Sequence, residues 1–162
     1  MKRFLSILFC MVLLAGCAQA NPDGYQNSVF SASLPDTFEP VKDAGIICFA
    51  PYGDPLLSSS ITFYVTELNW YFDDFTEDEY ADALIELTGY QSLKLEQMSE
   101  CKIDGYDARR ISCKVQIDQG MHDLILYAIS ADQTYFFILL NREGDSFIKQ
   151  FDEMMRTVRF VK

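Results

Sequence analysis

His122 is the one histidine in the chain, with Asp118 and Asp123 close to it. A histidine base needs a nucleophile within hydrogen-bond reach, and no serine or cysteine stands in a recognisable nucleophile elbow. The residue therefore reads as a partly exposed histidine at the end of a strand. A single histidine without C-x-x-C or H-E-x-x-H spacing gives no zinc ligand set, so no metal is expected. The densest acidic run is Asp73, Asp74, Glu77, Asp78 and Glu79. Carboxylates so close together could ligate calcium through oxygen, but their spacing matches no calcium loop. Acids at a helix N-terminus already have a reason to be there in the helix dipole. Asp73 and Asp74 are the carboxylates that a hydrolase reading would have to use. Directly before and among them stand Trp70, Tyr71, Phe72 and Phe75, with the sole tryptophan. Rings beside acids on a loop form a candidate binding patch; the alternative is that they pack beneath the following helix. No catalytic set emerges, and no cofactor is called for beyond the covalent group considered next.

That group concerns Cys17. Lys2 and Arg3 precede an apolar run from Phe4 to Leu14, which fits the hydrophobic region of an export signal and is too short to span a bilayer of ~30 Å. The run ends in Leu14-Ala15-Gly16-Cys17, which resembles the lipobox of bacterial lipoproteins at all four positions. The resemblance implies cleavage between Gly16 and Cys17 and a diacylglyceryl group on the Cys17 thiol. Small residues at Ala15 and Gly16 let a peptidase close around the extended backbone. Two acyl chains at ~0.8 kcal/mol per buried methylene make a stable anchor, whereas one is marginal. Ala18-Gln19-Ala20 has the A-x-A form of an ordinary secretory site, which arises easily in alanine-rich flanks and would instead release a soluble product. The expected organisation is a signal peptide over 1–16, a lipidated cysteine and polar tether over 17–27, and one domain over 28–162. The expected location is the extracytoplasmic side of the cell envelope.

The remaining ~145 residues suit one domain that buries ~68–70% of its unfolded surface. The formal charge is −11 and becomes −13 once Lys2 and Arg3 are gone. Such acidity excludes nucleic acid as a partner and any electrostatic hold on anionic lipid. Membrane contact would run through the acyl chains, and an envelope protein is the remaining class of partner. Three cysteines stay in the domain, Cys48, Cys101 and Cys113, an odd number that leaves at least one free thiol. A two-residue turn at Asp104-Gly105 sets Cys101 opposite Ala108. Cys113 then lies on the other face, about five residues further along at ~3.3 Å each, which speaks against a bridge between these two; only an untypical loop covering Asp104 to Arg110 would face them. Three buried thiols are expected, with Cys48 to Cys101 or Cys113 as the alternative bridge.

The positioning elements follow from periodicity. Val29 to Leu34, Gly45 to Ala50 and Ile61 to Thr66 read as strands. Thr76-Glu77-Asp78-Glu79 is a capping box that opens a helix through Tyr80, Ala83, Leu84 and Leu87 and stops at Gly89. Strands are predicted over Leu95 to Ile103, Ala108 to Ile117 and Leu124 to Ser130. Tyr135 to Leu140 is apolar on both faces, the mark of a central strand covered from both sides. Phe147, Phe151, Met154 and Val158 give an amphipathic closing helix.

Phe30-Ser31-Ala32-Ser33-Leu34-Pro35, Ile103-Asp104-Gly105-Tyr106-Asp107-Ala108, the hairpin after it and the closing Phe151 to Phe160 helix together resemble the PsbP/DcrB-type domain across most of the mature chain. Asp107 stands where proline is common in that family, and Thr157 where serine is common. The resemblance implies an α+β fold with an antiparallel β-sheet sandwiched between helices. It brings no shared catalytic residues, and it implies a non-catalytic binding or accessory role; an envelope hydrolase using carboxylates such as Asp73 and Asp74, or a purely structural envelope protein, is the alternative.

Overall fold

The computed structural model describes residues 19–21, 24–42, 44–55, 58–66, 76–90, 92–117, 120–142 and 146–161. Its strands are β1 (Gln19–Asn21), β2 (Gly24–Gln26), β3 (Phe30–Ala32), β4 (Phe38–Pro40), β5 (Ile47–Pro51) and β6 (Ser60–Thr66), followed by β7 (Leu93–Ile103), β8 (Tyr106–Ile117), β9 (Gly120–Ser130), β10 (Thr134–Asn141) and β11 (Arg159–Phe160). Helix α1 (Glu77–Thr88) lies between β6 and β7, and α2 (Ser146–Thr157) between β10 and β11.

Strand β10 organises the molecule. All eight of its residues are buried, and it sits inside a seven-stranded antiparallel sheet of order β4-β5-β6-β10-β9-β8-β7. Alternation along the strands divides the core in two. Tyr135, Phe137 and Leu139 join Ile61, Phe63, Ile125, Tyr127 and Ile129 beneath Phe151, Met154 and Met155 of α2. Phe136, Ile138 and Leu140 join Leu124, Leu126, Ile111 and Val115 beneath Tyr80 and Leu84 of α1. Two helices on opposite faces of an antiparallel sheet are the α+β sandwich that the sequence predicts.

The capping box forms as expected. The Thr76 hydroxyl accepts from the Glu79 amide (3.3 Å), and the Glu79 carboxylate accepts from the Thr76 amide (2.8 Å). Gly89, at φ 73°, ends α1 by donating its N–H to the Ile85 carbonyl. Two polar pairs fasten the helices to the sheet. The Arg109 guanidinium lies 5.5 Å from the Tyr80 ring centre and donates to the Tyr80 hydroxyl (3.0 Å). Arg110 grips Asp152 of α2 with two hydrogen bonds (2.9 and 3.1 Å), and the Tyr127 hydroxyl donates to the same carboxylate (2.8 Å).

Two boundaries differ from the sequence reading. The fold begins before Ser28, because β2 pairs with β3 and Tyr25 is buried edge-on against Phe49 at 4.7 Å. One core residue in a polar stretch leaves no alternation to read, which is why 17–27 looks like tether alone. The closing helix stops at Thr157 rather than running to Phe160. The Thr157 hydroxyl donates to the Met154 carbonyl and accepts from the Ser33 amide, drawing the chain off the helix. Arg159–Phe160 then pairs with Phe30–Ser31 as β11, completing a second sheet of order β1-β2-β3-β11.

Register also decides the cysteines. Cys101 stands opposite Ala108, as expected, and Cys113 opposite Leu95. Cys101 packs toward the α2 face and Cys113 toward the α1 face. Cys48 shares the α1 face, because its partner Thr62 stands opposite Ile138. Four strand spacings separate β5 from β8, on the order of 19 Å, which is beyond disulfide reach. The alternative bridge from Cys48 is thereby excluded, and all three thiols are free.

At Asp104 (φ 49°) and Gly105 (φ 86°) the β7–β8 hairpin turns in two residues, a left-handed geometry that Asp and Gly tolerate. The Asp104 carboxylate accepts from the Phe160 amide at 2.9 Å and lies 3.7 Å from Arg159 Nε. The hairpin tip thus clasps the C-terminal strand. Asp104→Ala is expected to cost ~2 kcal/mol, from the lost bond and the strained φ together. Asp104→Asn should retain most of it in urea denaturation, and equal losses in the two variants would count against the clasp.

Candidate functional site

The clasp forms one wall of a cleft of about 380 Å³ at the end of the α2 face. Tyr106 enters from the start of β8, Ala131 and Asp132 from the β9–β10 turn, Tyr135 from β10, and Phe160 with Val161 from the C-terminus. Ser28 and Val29 complete the lining, and the Val161 amide donates to the Val29 carbonyl at 2.9 Å. Phe160 meets Tyr106 edge-on (centroids 5.6 Å apart) and Tyr135 at 4.8 Å. Tyr135 in turn stacks on Phe63 at 6.0 Å. The cleft is therefore the outer end of a row of rings rooted in the core.

Among the described residues, its one charged lining residue is Asp132. The Tyr135 hydroxyl donates to Asp132 Oδ1 at 2.9 Å. Burial, then the neighbouring carboxylate, push the Tyr135 phenol up to about 12. The hydroxyl therefore stays protonated as a donor near neutral pH. A second, shallower depression of about 220 Å³ lies over Gly24, Gln26, Ser31, Ser33 and Thr157. Among the described residues it has no charged side chain, and its one ring, Tyr25, belongs to the core.

Gly16, Cys17, Trp70, Tyr71, Phe72, Asp73, Asp74 and Phe75 lie outside the described residues, as does the Glu77 side chain. The strand that leads to the aromatic run, β6, ends at Thr66 opposite Thr134, two residues from Asp132. Glu79 serves the helix cap, and its bonds to Thr76 hold its carboxyl below the usual range. His122 is half-buried on β9 opposite Val115, on the α1 face. Asp123 points the other way and pairs with Lys114, so the two form no dyad. Among the described residues, no three of His, Cys, Asp and Glu gather to hold a metal, and no helix is long and apolar enough to cross a membrane.

No protein-family model matches this chain. No curated protein matches it. Among solved structures, cyanobacterial PsbP (CyanoP) from Synechocystis superposes with a TM-score of 0.63 at 14% identity, covering 91% of this chain and 99% of that one. The fold is PsbP-like. LpqN, involved in cell envelope biogenesis of Mycobacterium tuberculosis, shares it with a TM-score of 0.57 at 12% identity, covering 89% of this chain and 88% of the other. A longer Bacteroides thetaiotaomicron protein gives a TM-score of 0.50 at 15% identity, covering 82% of this chain and 45% of that one. On this PsbP-like frame, the hairpin motif and the C-terminal motif noticed in the sequence meet at the cleft, through Tyr106, Asp104 and Phe160. Asp132 and Tyr135 went unnoticed because their part in the site depends on strand register.

Proposed function

We propose that this is a lipid-anchored extracytoplasmic protein with a non-catalytic binding or accessory role in the cell envelope. The observation that carries the reading is the chemistry of the cleft. Among the described residues it offers ring faces and one carboxylate, and burial pushes the Tyr135 phenol up to about 12, whereas acid–base catalysis needs a group matched to the working pH. LpqN, which shares the fold, is involved in cell envelope biogenesis, and this adds support. The anchor on Cys17 rests on the Leu14 to Cys17 motif and the charged, apolar run before it. Strand β1 starts at Gln19, two residues after Cys17, so a lipid there would hold the smaller sheet within ~7 Å of chain from the membrane.

Cys17→Ser tests the anchor. The variant is expected to leave the membrane fraction or to accumulate as an uncleaved precursor, as read by fractionation and mass spectrometry of the N-terminus. A mature, membrane-bound form in unchanged amount would refute lipidation. Crosslinking and affinity capture from the native membrane test the binding role, with a reproducible envelope protein partner as the expected result.

A further inference from the structure

We infer that the cleft between Tyr106, Tyr135 and Phe160 receives a cationic side chain, lysine or arginine, of a polypeptide partner, with Asp132 as its counter-ion. The inference deepens the binding role proposed above and rests on it. Phe160 touches both Tyr106 and Tyr135, so three rings line one space, and a cation is attracted to ring faces. Asp132 gives Oδ1 to the Tyr135 hydroxyl, while Oδ2 has no partner among the described residues.

The acids nearby are already engaged. Asp104 takes the Phe160 amide and lies beside Arg159, and Asp107 pairs with Lys102 at 2.7 Å. Nor, among the described residues, does the adjacent cation turn into the cleft. Arg159 Nη1 is held by the carbonyls of Arg156 (3.1 Å) and Val158 (2.6 Å). Among the described residues no cation answers Asp132, so charge complementarity asks for one from a partner, and a chain of net charge −11 favours its approach. Val29, Ala131 and Val161 supply apolar wall for the methylene stem of a long basic side chain. A lipid ammonium headgroup fits less well, because it brings a phosphate beside its cation and into the same acidic field. The rings are set in advance: Phe160 by the hydrogen bond its backbone N–H donates to Asp104, Tyr135 by its stack on Phe63. Binding thus loses little side-chain freedom.

The test uses the full chain in a non-ionic detergent. It is titrated with acetyl-Gly-Arg-Gly-amide and with the same peptide carrying citrulline, which keeps the shape and lacks the charge. The expected result is saturable movement of the Tyr106, Tyr135 and Phe160 ring resonances with arginine, and binding at least about tenfold weaker with citrulline. Asp132→Asn should weaken the arginine peptide about tenfold, with an unchanged melting temperature. Equal binding of the two peptides, no saturable movement, or ring movement with phosphatidylcholine vesicles in place of the peptide would each overturn the inference. Membrane capture separates its failure from that of the broader reading. A partner held equally by wild type and Asp132→Asn removes the cleft from recognition and leaves the binding role standing. Capture of nothing by either removes both.

Discussion

Phe30→Ala is expected to remove about 3–5 kcal/mol of stability. Phe30 is fully buried and touches three rings, Tyr25 at 5.5 Å, Phe63 at 4.7 Å and Phe137 at 4.9 Å. It belongs to β3, the strand of the smaller sheet that lies between β2 and β11. Phe63 and Phe137 belong to neighbouring strands of the larger sheet, paired directly opposite one another. Phe30 thus docks sheet on sheet beside the Tyr25–Phe49 and Phe160–Tyr135 contacts, and truncating it leaves a cavity lined by rings. Against a total of ~5–15 kcal/mol, the variant should still fold but melt much earlier, with a lower urea midpoint at unchanged slope. Phe30→Leu, which keeps most of the volume, should cost less than ~1.5 kcal/mol. The damage should also reach the cleft, because β11 and its Phe160 are held by β3. A loss below ~1 kcal/mol in the alanine variant would mean that the two sheets are joined some other way.

Where one segment states its own structure, the sequence was legible. Thr76 and Glu79 specify a helix start within four residues, and the structure forms both bonds of the cap. The unbroken apolar run over β10 specifies burial on both faces without reference to any other strand. Asp104-Gly105 fixes the hairpin register, and from it follows the separation of Cys101 from Cys113. Where a meaning depends on a distant partner, the sequence was silent. Val158 continues the helical spacing of Phe151 and Met154, yet it is buried as the chain leaves α2 for β11. The bond from the Ser33 amide to Thr157 that marks the exit joins the two ends of the chain. The cleft is the same kind of object. Tyr106, Asp132 and Phe160 are unremarkable singly, and they become a site only because a hairpin tip, a turn and a C-terminal strand converge.

The arginines show how the same convergence works in the core. Arg109 and Arg110 are adjacent in β8, so alternation sends one to each helix: Arg109 to Tyr80 in α1, Arg110 to Asp152 in α2. In sequence they read as ordinary strand charges. In the fold, each crosses from sheet to helix on its own face, so neither helix is held by apolar contact alone.

That arrangement bears on the second large expectation, a steep loss of stability in alkali. Burial pushes the Cys113 thiol from its ordinary value of 9.0 up to about 12. It raises the Tyr127 phenol as well, helped by the bond that Tyr127 donates to Asp152, while the Arg110 guanidinium pulls the other way and loses. Cys48 and Cys101 are raised by burial too. In the unfolded chain, thiols ionise near 9 and phenols near 10, so over this window the unfolded state binds fewer protons than the fold. Stability contributed by these groups is complete below pH ~9 and drains as pH rises toward about 12, at roughly 1.4 kcal/mol per pH unit for each group that keeps its proton only when folded. Tyr135, which lines the cleft, contributes less. Cys113 and Tyr127 alone remove about 4 kcal/mol by pH ~11, a large share of the whole. Urea midpoints measured from neutral pH into alkali should fall accordingly. Tyr127→Phe and Cys113→Ala should each start lower, for want of a hydrogen bond or of packing, and then decline more gently than wild type. A flat profile across the window, or variants with the wild-type slope, would show that these protons are released before the fold is lost.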